Sequence, residues 1–173
     1  SKMFLKIIQA KLAPIFVRLL IFIYRNQEAN VLWNSSEKSS NFTIRNGTGQ
    51  GRVLAAIAYC MYVAGLFTLL EQRRAGCWIE GEHRGIWGYS DDNWAIAPSL
   101  SSLQDMIVTM EEYAQSHNLI FSTDPNPLKC KTKCMAYLKK ERVLPNMILC
   151  GTPLPWVDKL KHLGITVTNK IDG

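Results

Sequence analysis

Ile86-Trp87-Gly88-Tyr89-Ser90-Asp91-Asp92-Asn93-Trp94-Ala95-Ile96-Ala97-Pro98 places a polar centre, Ser90 to Asn93, between two short apolar runs. β-prone aromatic and branched residues on both arms, turn formers between them and Pro98 as a stop predict strand, turn and strand. The turn would carry two adjacent carboxylates, Asp91 and Asp92. Neighbouring acids repel, so the pair is costly unless a cation lies between them. Hard divalent ions such as Mg²⁺ take oxygen ligands, commonly one or two carboxylates with substrate phosphates. In two-metal sites such ions clamp the attacking and leaving oxygens of a phosphoryl transfer. The plain alternative is a solvated turn, since Asp, Asn and Ser populate surface turns whatever the function.

Working outward, Ser99 to His117 predicts a helix. Ser99 or Ser101 is its N-cap, and Leu100, Leu103, Met106, Ile107, Met110, Tyr113 and Ala114 make one apolar stripe. Asp105, Glu111, Glu112 and Gln115 fall on the other face, as solvated positions. On the upstream side, Cys77 to Glu80 is expected to pair across Gly81-Glu82 with the strand into Tyr89. Before it, Val53 to Leu70 is a charge-free run that Gly76 would cap. Its length makes it a transmembrane candidate. Its alanines and Gly65 lower the hydrophobicity, however, and a helix apolar all round is equally the central helix of a soluble core.

At the N-terminal end, residues 3–13 and a second segment opening at Pro14 show helical spacing. Gln27 to Trp33 and Asn41 to Arg45 are strands of a hairpin. Toward the other end, Leu119 to Phe121 and Thr132 to Leu138 are expected strands, the latter with Lys131, Lys133, Met135 and Tyr137 on one face. Basic plus aromatic residues on one face suit nucleic-acid contact; a lysine-guarded edge strand is the plain alternative.

Composition narrows the class. Apolar residues are 47% and charged residues 20% of 173, a globular balance sized for one domain, 1–173. Twenty Lys plus Arg against fourteen Asp plus Glu leave a formal charge of +6, which favours an anionic partner. Five cysteines without framework spacing predict reduced thiols in an intracellular protein, and no Cys/His set has zinc-site spacing.

The order of these segments resembles the reverse transcriptase of non-LTR (LINE-type) retrotransposons over essentially the whole chain. Gly47-Thr48-Gly49-Gln50-Gly51 matches the family's Gly-x-x-Gln-Gly, and Leu54, Tyr59 and Tyr62 fit the helix that follows. Ala55 and Ala56 stand where the family often has Ser-Pro, and Gly49 where it is usually basic. Tyr89-Ser90-Asp91-Asp92 matches Tyr-Ala-Asp-Asp. Lys131-Thr132-Lys133-Cys134-Met135 resembles the stretch whose lysine acts near the leaving pyrophosphate, and Lys161-His162-Leu163-Gly164 resembles the primer-grip hairpin. The family's third catalytic carboxylate lies upstream of the helix pair that begins here near Met3, and no residue from Ser1 to Lys11 is Asp or Glu.

The resemblance implies an α+β fold: a palm-type antiparallel sheet packed on the helices 53–74 and 99–117, within an incomplete right-hand polymerase. It implies an RNA-directed DNA polymerase, a nucleotidyltransferase active in the cytoplasm and nucleus. RNA template, DNA primer and deoxynucleotides would be its partners, with no membrane, and Mg²⁺ or Mn²⁺ its metal. Asp91 and Asp92 would be the metal ligands and Lys131 a catalytic proton donor. Tyr89, Gly47, Gln50 and Gly51 would border nucleotide and template, and Lys161 to Gly164 would hold the primer. With most of the fingers, the thumb and the first carboxylate outside these residues, the isolated chain is expected to be inactive. Two rivals make other predictions: a small helical membrane protein spanning 53–70, and a plain RNA-binding module resting on 129–142.

Overall fold

A computed structural model describes residues 2–33, 37–44, 53–138, 140 and 142–170. The described residues form a mixed α+β fold of helices and small antiparallel sheets, and divide into two compact units. One comprises residues 1–67 and 88–93, the other residues 68–87 and 94–173.

The first unit opens with α1 (Lys2–Gln9) and α2 (Pro14–Arg25). α1 stops short of the expected residue 13 because Lys11 turns left-handed (φ 56) and Pro14 removes a donor. Proline then serves as the first residue of α2, where a missing N–H costs nothing. Ile7 and Val17 are the buried residues of this helix pair, and the rings of Phe4 and Tyr24 meet edge to face at 6.2 Å. The expected hairpin forms as two short ladders. β1 (Glu28–Ala29) pairs with β4 (Phe42–Thr43), and β2 (Leu32–Trp33) pairs with β3 (Glu37–Lys38).

Helix α3 (Val53–Gln72) follows. Ala55, Ala58, Val63 and Leu66 are buried, whereas Leu54 and Ile57 face outward. From Leu54 to Gln72 it is long and apolar enough to cross a membrane, with mean hydropathy 1.7 and 28% of the window buried. Buried core helices of soluble proteins pass the same test.

In the second unit the end of α3 is closed by a Schellman motif. The N–H of Ala75 reaches the Leu70 carbonyl and the N–H of Arg74 reaches that of Glu71, both at 3.0 Å. The left-handed residue that closes the motif is Arg74 (φ 52), two residues before Gly76, which itself has φ 101, and the Arg74 guanidinium lies 5.0 Å over the ring of Trp78. Gly76 serves close approach instead: a Cβ there would lie 2.8 Å from the Gly85 Cα and 2.9 Å from the Met106 sulfur.

β5 (Trp78–Ile79) turns back at Glu80-Gly81 onto β6 (Glu82–His83). β7 (Ile86–Tyr89) and β8 (Asp92–Ala95) form the next hairpin. α4 (Leu100–His117) is capped by the Ser99 hydroxyl, which accepts from the Ser102 N–H at 3.1 Å, and ends on left-handed Asn118. Its buried face carries Met106, Ile107, Met110, Tyr113 and Ala114, most of the expected stripe.

The opposite face is not merely solvated. Glu112 pairs with Arg73 at 2.7 Å, and the Glu111 carboxylate accepts from the Cys150 N–H. β9 (Met147–Leu149) and β10 (Thr152–Leu154) form a hairpin, and Gln104 docks it on α4: its amide donates to the Ile148 carbonyl at 3.0 Å and accepts from the Ile148 N–H at 3.1 Å. Ile107, Cys130, Cys134, Met147, Leu149 and Leu154 make the core, with Leu100, Leu103, Phe121 and Trp156 against it.

Residues 119–121 and 132–138 do not form the expected strands; only Cys134 pairs, in a single parallel bridge to Trp156. β11 (Lys159–His162) and β12 (Ile165–Thr168) close the chain as a regular hairpin. Three hairpin turns, Glu80-Gly81, Cys150-Gly151 and Leu163-Gly164, have positive φ at both central residues, the backbone that suits the twist of paired strands.

Candidate metal and nucleotide site

Along β7 Ile86 is buried, while Trp87, Gly88 and Tyr89 are exposed, Tyr89 by 67%. Ser90 and Asp91 are the turn, and Ser90 is left-handed at φ 55. A two-residue connection delivers Asp91 in the turn and Asp92 as the first residue of β8, both exposed. The Asn93 amide donates to the Asp91 carbonyl at 3.3 Å and braces the turn from within.

Gly88 lies against the ends of two side chains. A Cβ there would lie 2.5 Å from the Asn93 Oδ1 and 2.8 Å from the Phe67 Cζ, so a ring from α3 lies directly against the β7 backbone. The Asn93 Oδ1 is buried without a hydrogen-bond partner, a polar atom held in place by packing. Sequence reading missed Phe67 and took Asn93 only as a turn former, because neither side chain carries a signal for such contacts until the fold brings the backbone to it.

Tyr59, on α3, stands in the electrostatic reach of the turn. Burial chiefly, then the Asp91 carboxylate and the Cys60 thiol, push its phenol above the ordinary range. Each makes the phenolate costlier, so Tyr59 remains a neutral O–H, a donor where a carboxylate is the acceptor. In sequence it was visible only as a helix match.

Asp91 and Asp92 offer hard carboxylate oxygens in an exposed position, a donor set that suits Mg²⁺ or Mn²⁺ with water and phosphate in the remaining places. Among the described residues no group of three or more Asp, Glu, His or Cys comes together as a metal cluster.

The other expected site residues are distributed as follows. Gly47, Gln50 and Gly51 lie outside the described residues. Lys131 and Lys161 to Gly164 belong to the second unit, whereas Tyr89, Asp91 and Asp92 belong to the first. Lys131 is exposed on an extended segment. Lys161 lies opposite Thr166 on β11–β12, Leu163 and Gly164 make the turn, and the His162 ring meets Trp94 edge to face at 4.9 Å. Comparison with protein-family models, curated proteins and solved structures finds no match.

Proposed function

We propose that the chain is part of an RNA-directed DNA polymerase of the non-LTR retrotransposon type, with the β7–β8 pair as the catalytic hairpin of a palm-like sheet. The observation that carries this reading is the turn at Ser90-Asp91. It presents two adjacent exposed carboxylates on a strand pair braced by Asn93 and by the Phe67–Gly88 contact. The ordered matches on either side of the hairpin support it.

In this reading Asp91 is the main metal ligand of the hairpin and Asp92 the second. Bound Mg²⁺ or Mn²⁺ would neutralise the charge of an incoming triphosphate and stabilise what develops on its oxygens. The chain's own residues would do the rest. Tyr89 presents an exposed ring to the primer end, Gly47, Gln50 and Gly51 border the nascent pair, and Lys161 to Gly164 hold the primer strand. Lys131 would give a proton to departing pyrophosphate. The partners are RNA template, DNA primer and deoxynucleotides, and the setting is the cytoplasm and nucleus.

Equilibrium dialysis of a deoxynucleoside triphosphate with and without Mn²⁺ tests the reading. Metal-dependent retention by the chain, lost in Asp91→Asn/Asp92→Asn, is expected. Retention indifferent to both the metal and the double substitution would refute it.

One observation favours a second reading. α3 buries only 28% of its apolar window, so a small membrane protein spanning there predicts that the chain partitions into detergent. The polymerase reading predicts that it stays in the aqueous phase.

A further inference from the structure

We infer that Lys129, Lys131 and Lys133 form a track for the phosphodiester backbone of a single-stranded nucleic acid. The class of partner rests on the polymerase reading; the surface itself does not. Lys129 ends a turn whose Lys129 and Cys130 N–H groups both donate to the Asn126 carbonyl at 3.0 Å, and the chain runs extended from there through Lys131 and Lys133. Cys130 and Cys134 are 1% and 7% exposed and belong to the core, so the lysines beside them point outward.

The backbone is fastened along its length. Thr132 donates its N–H and its hydroxyl to the Ser122 carbonyl at 3.2 and 3.0 Å. Cys134 donates to the Pro155 carbonyl and accepts from the Val157 N–H, each at 2.9 Å. On the extended part, residues two apart such as Lys131 and Lys133 are separated by about 6.7 Å. Lys129, at the end of the preceding turn, adds a third exposed ammonium group.

Among the described residues none of these three lysines has an ion pair. The flanking acids are engaged elsewhere: Asp124 accepts from the Asn126 N–H at 2.8 Å and Asp158 from the Asn169 amide at 2.9 Å. The Cys134–Trp156 bridge sets the segment beside the chain that continues into exposed Lys159 and Lys161, a second pair of cations. Beyond Lys133 the alternation leads to Tyr137, 54% exposed, a ring on which a base can stack. A row of cations ending on an exposed aromatic favours a nucleic-acid strand over an acidic peptide or a lipid surface.

Fluorescence anisotropy of a labelled oligouridylate, followed against salt, tests the track with the whole chain. Each phosphate contact on a single strand contributes about 0.7 to the slope of log affinity against log salt, so Lys129→Ala/Lys133→Ala should lower that slope by about 1.4. Lys129→Arg/Lys133→Arg should restore it. Lys11→Ala/Lys38→Ala, with the same loss of net charge, should leave it unchanged.

Any of several results would overturn the track: no binding by the whole chain at low salt, an unchanged slope in the first double variant, or an equal fall in the Lys11/Lys38 control. Displacement of the oligonucleotide by phosphatidylserine vesicles as readily as by unlabelled RNA would do so too. A slope that responds as expected, with no metal-dependent nucleotide retention, would sink the polymerase reading and leave the track standing. The reverse pattern would sink the track alone.

Discussion

A methyl group at Gly88 would meet the ends of two side chains, Asn93 on its own hairpin and Phe67 on α3, which would have to move aside. Gly88→Ala should therefore cost about 1–3 kcal/mol, the usual penalty for overpacking. Thermal melts would read it, and Phe67→Leu in the same chain should recover part of the loss if the ring is the obstacle. An additive double variant would mean that Asn93 alone sets the limit. Cys134 makes a prediction of another kind. Burial first, and the neighbouring Cys130 second, push its thiol from the ordinary 9.0 up to about 11. The unfolded chain releases that proton at lower pH than the folded one, so this stability is fully present below pH 9. It is lost as pH rises through 11, by on the order of 2 kcal/mol. Denaturant titrations across that window should show the fall, and Cys134→Ala should flatten it. A wild-type curve no steeper than that of Cys134→Ala would contradict the assignment.

At the scale of elements, α4 positions the β9–β10 hairpin through two side chains two turns apart on one face. Gln104 exchanges two hydrogen bonds with Ile148, as a neighbouring strand would, and Glu111 accepts from Cys150. Gln104→Ala should cost about 1 kcal/mol by removing that pair. Amide exchange at Ile148 should quicken with it, and unchanged exchange there would mean that the hairpin is held by its core residues alone. α4 itself was legible in the sequence because two signals coincide, a serine cap and a stripe of period 3.6. The end of α3 was misread because glycine is the usual left-handed cap, and here Arg74 takes that conformation while Gly76 admits Gly85. The segment 132–138 alternates as a strand does, yet only Cys134 finds a ladder partner. Alternation reports burial on one side, and a core can impose it on an extended segment without a sheet. Glu111 and Glu112 looked solvated because sequence shows which face of a helix is polar, not what the fold later sets against it.

Over the whole molecule, the carboxylate turn is the part of the candidate site that sequence made legible, since its residues are consecutive and its turn chemistry is local. Tyr59, Phe67 and Asn93 were not legible, because their roles arise from contacts across the chain. The α+β class was what the resemblance implied, whereas the pairing into short two-stranded sheets depends on partners that no period specifies. The central claim, that Asp91 and Asp92 hold a divalent metal, is tested most directly by Mn²⁺ titration of the ¹⁵N-labelled chain. Paramagnetic broadening should appear first at the amides of Ser90 to Asn93, and Asp91→Asn/Asp92→Asn should abolish it there. Broadening that spares this turn, or that survives the double substitution, would contradict the account.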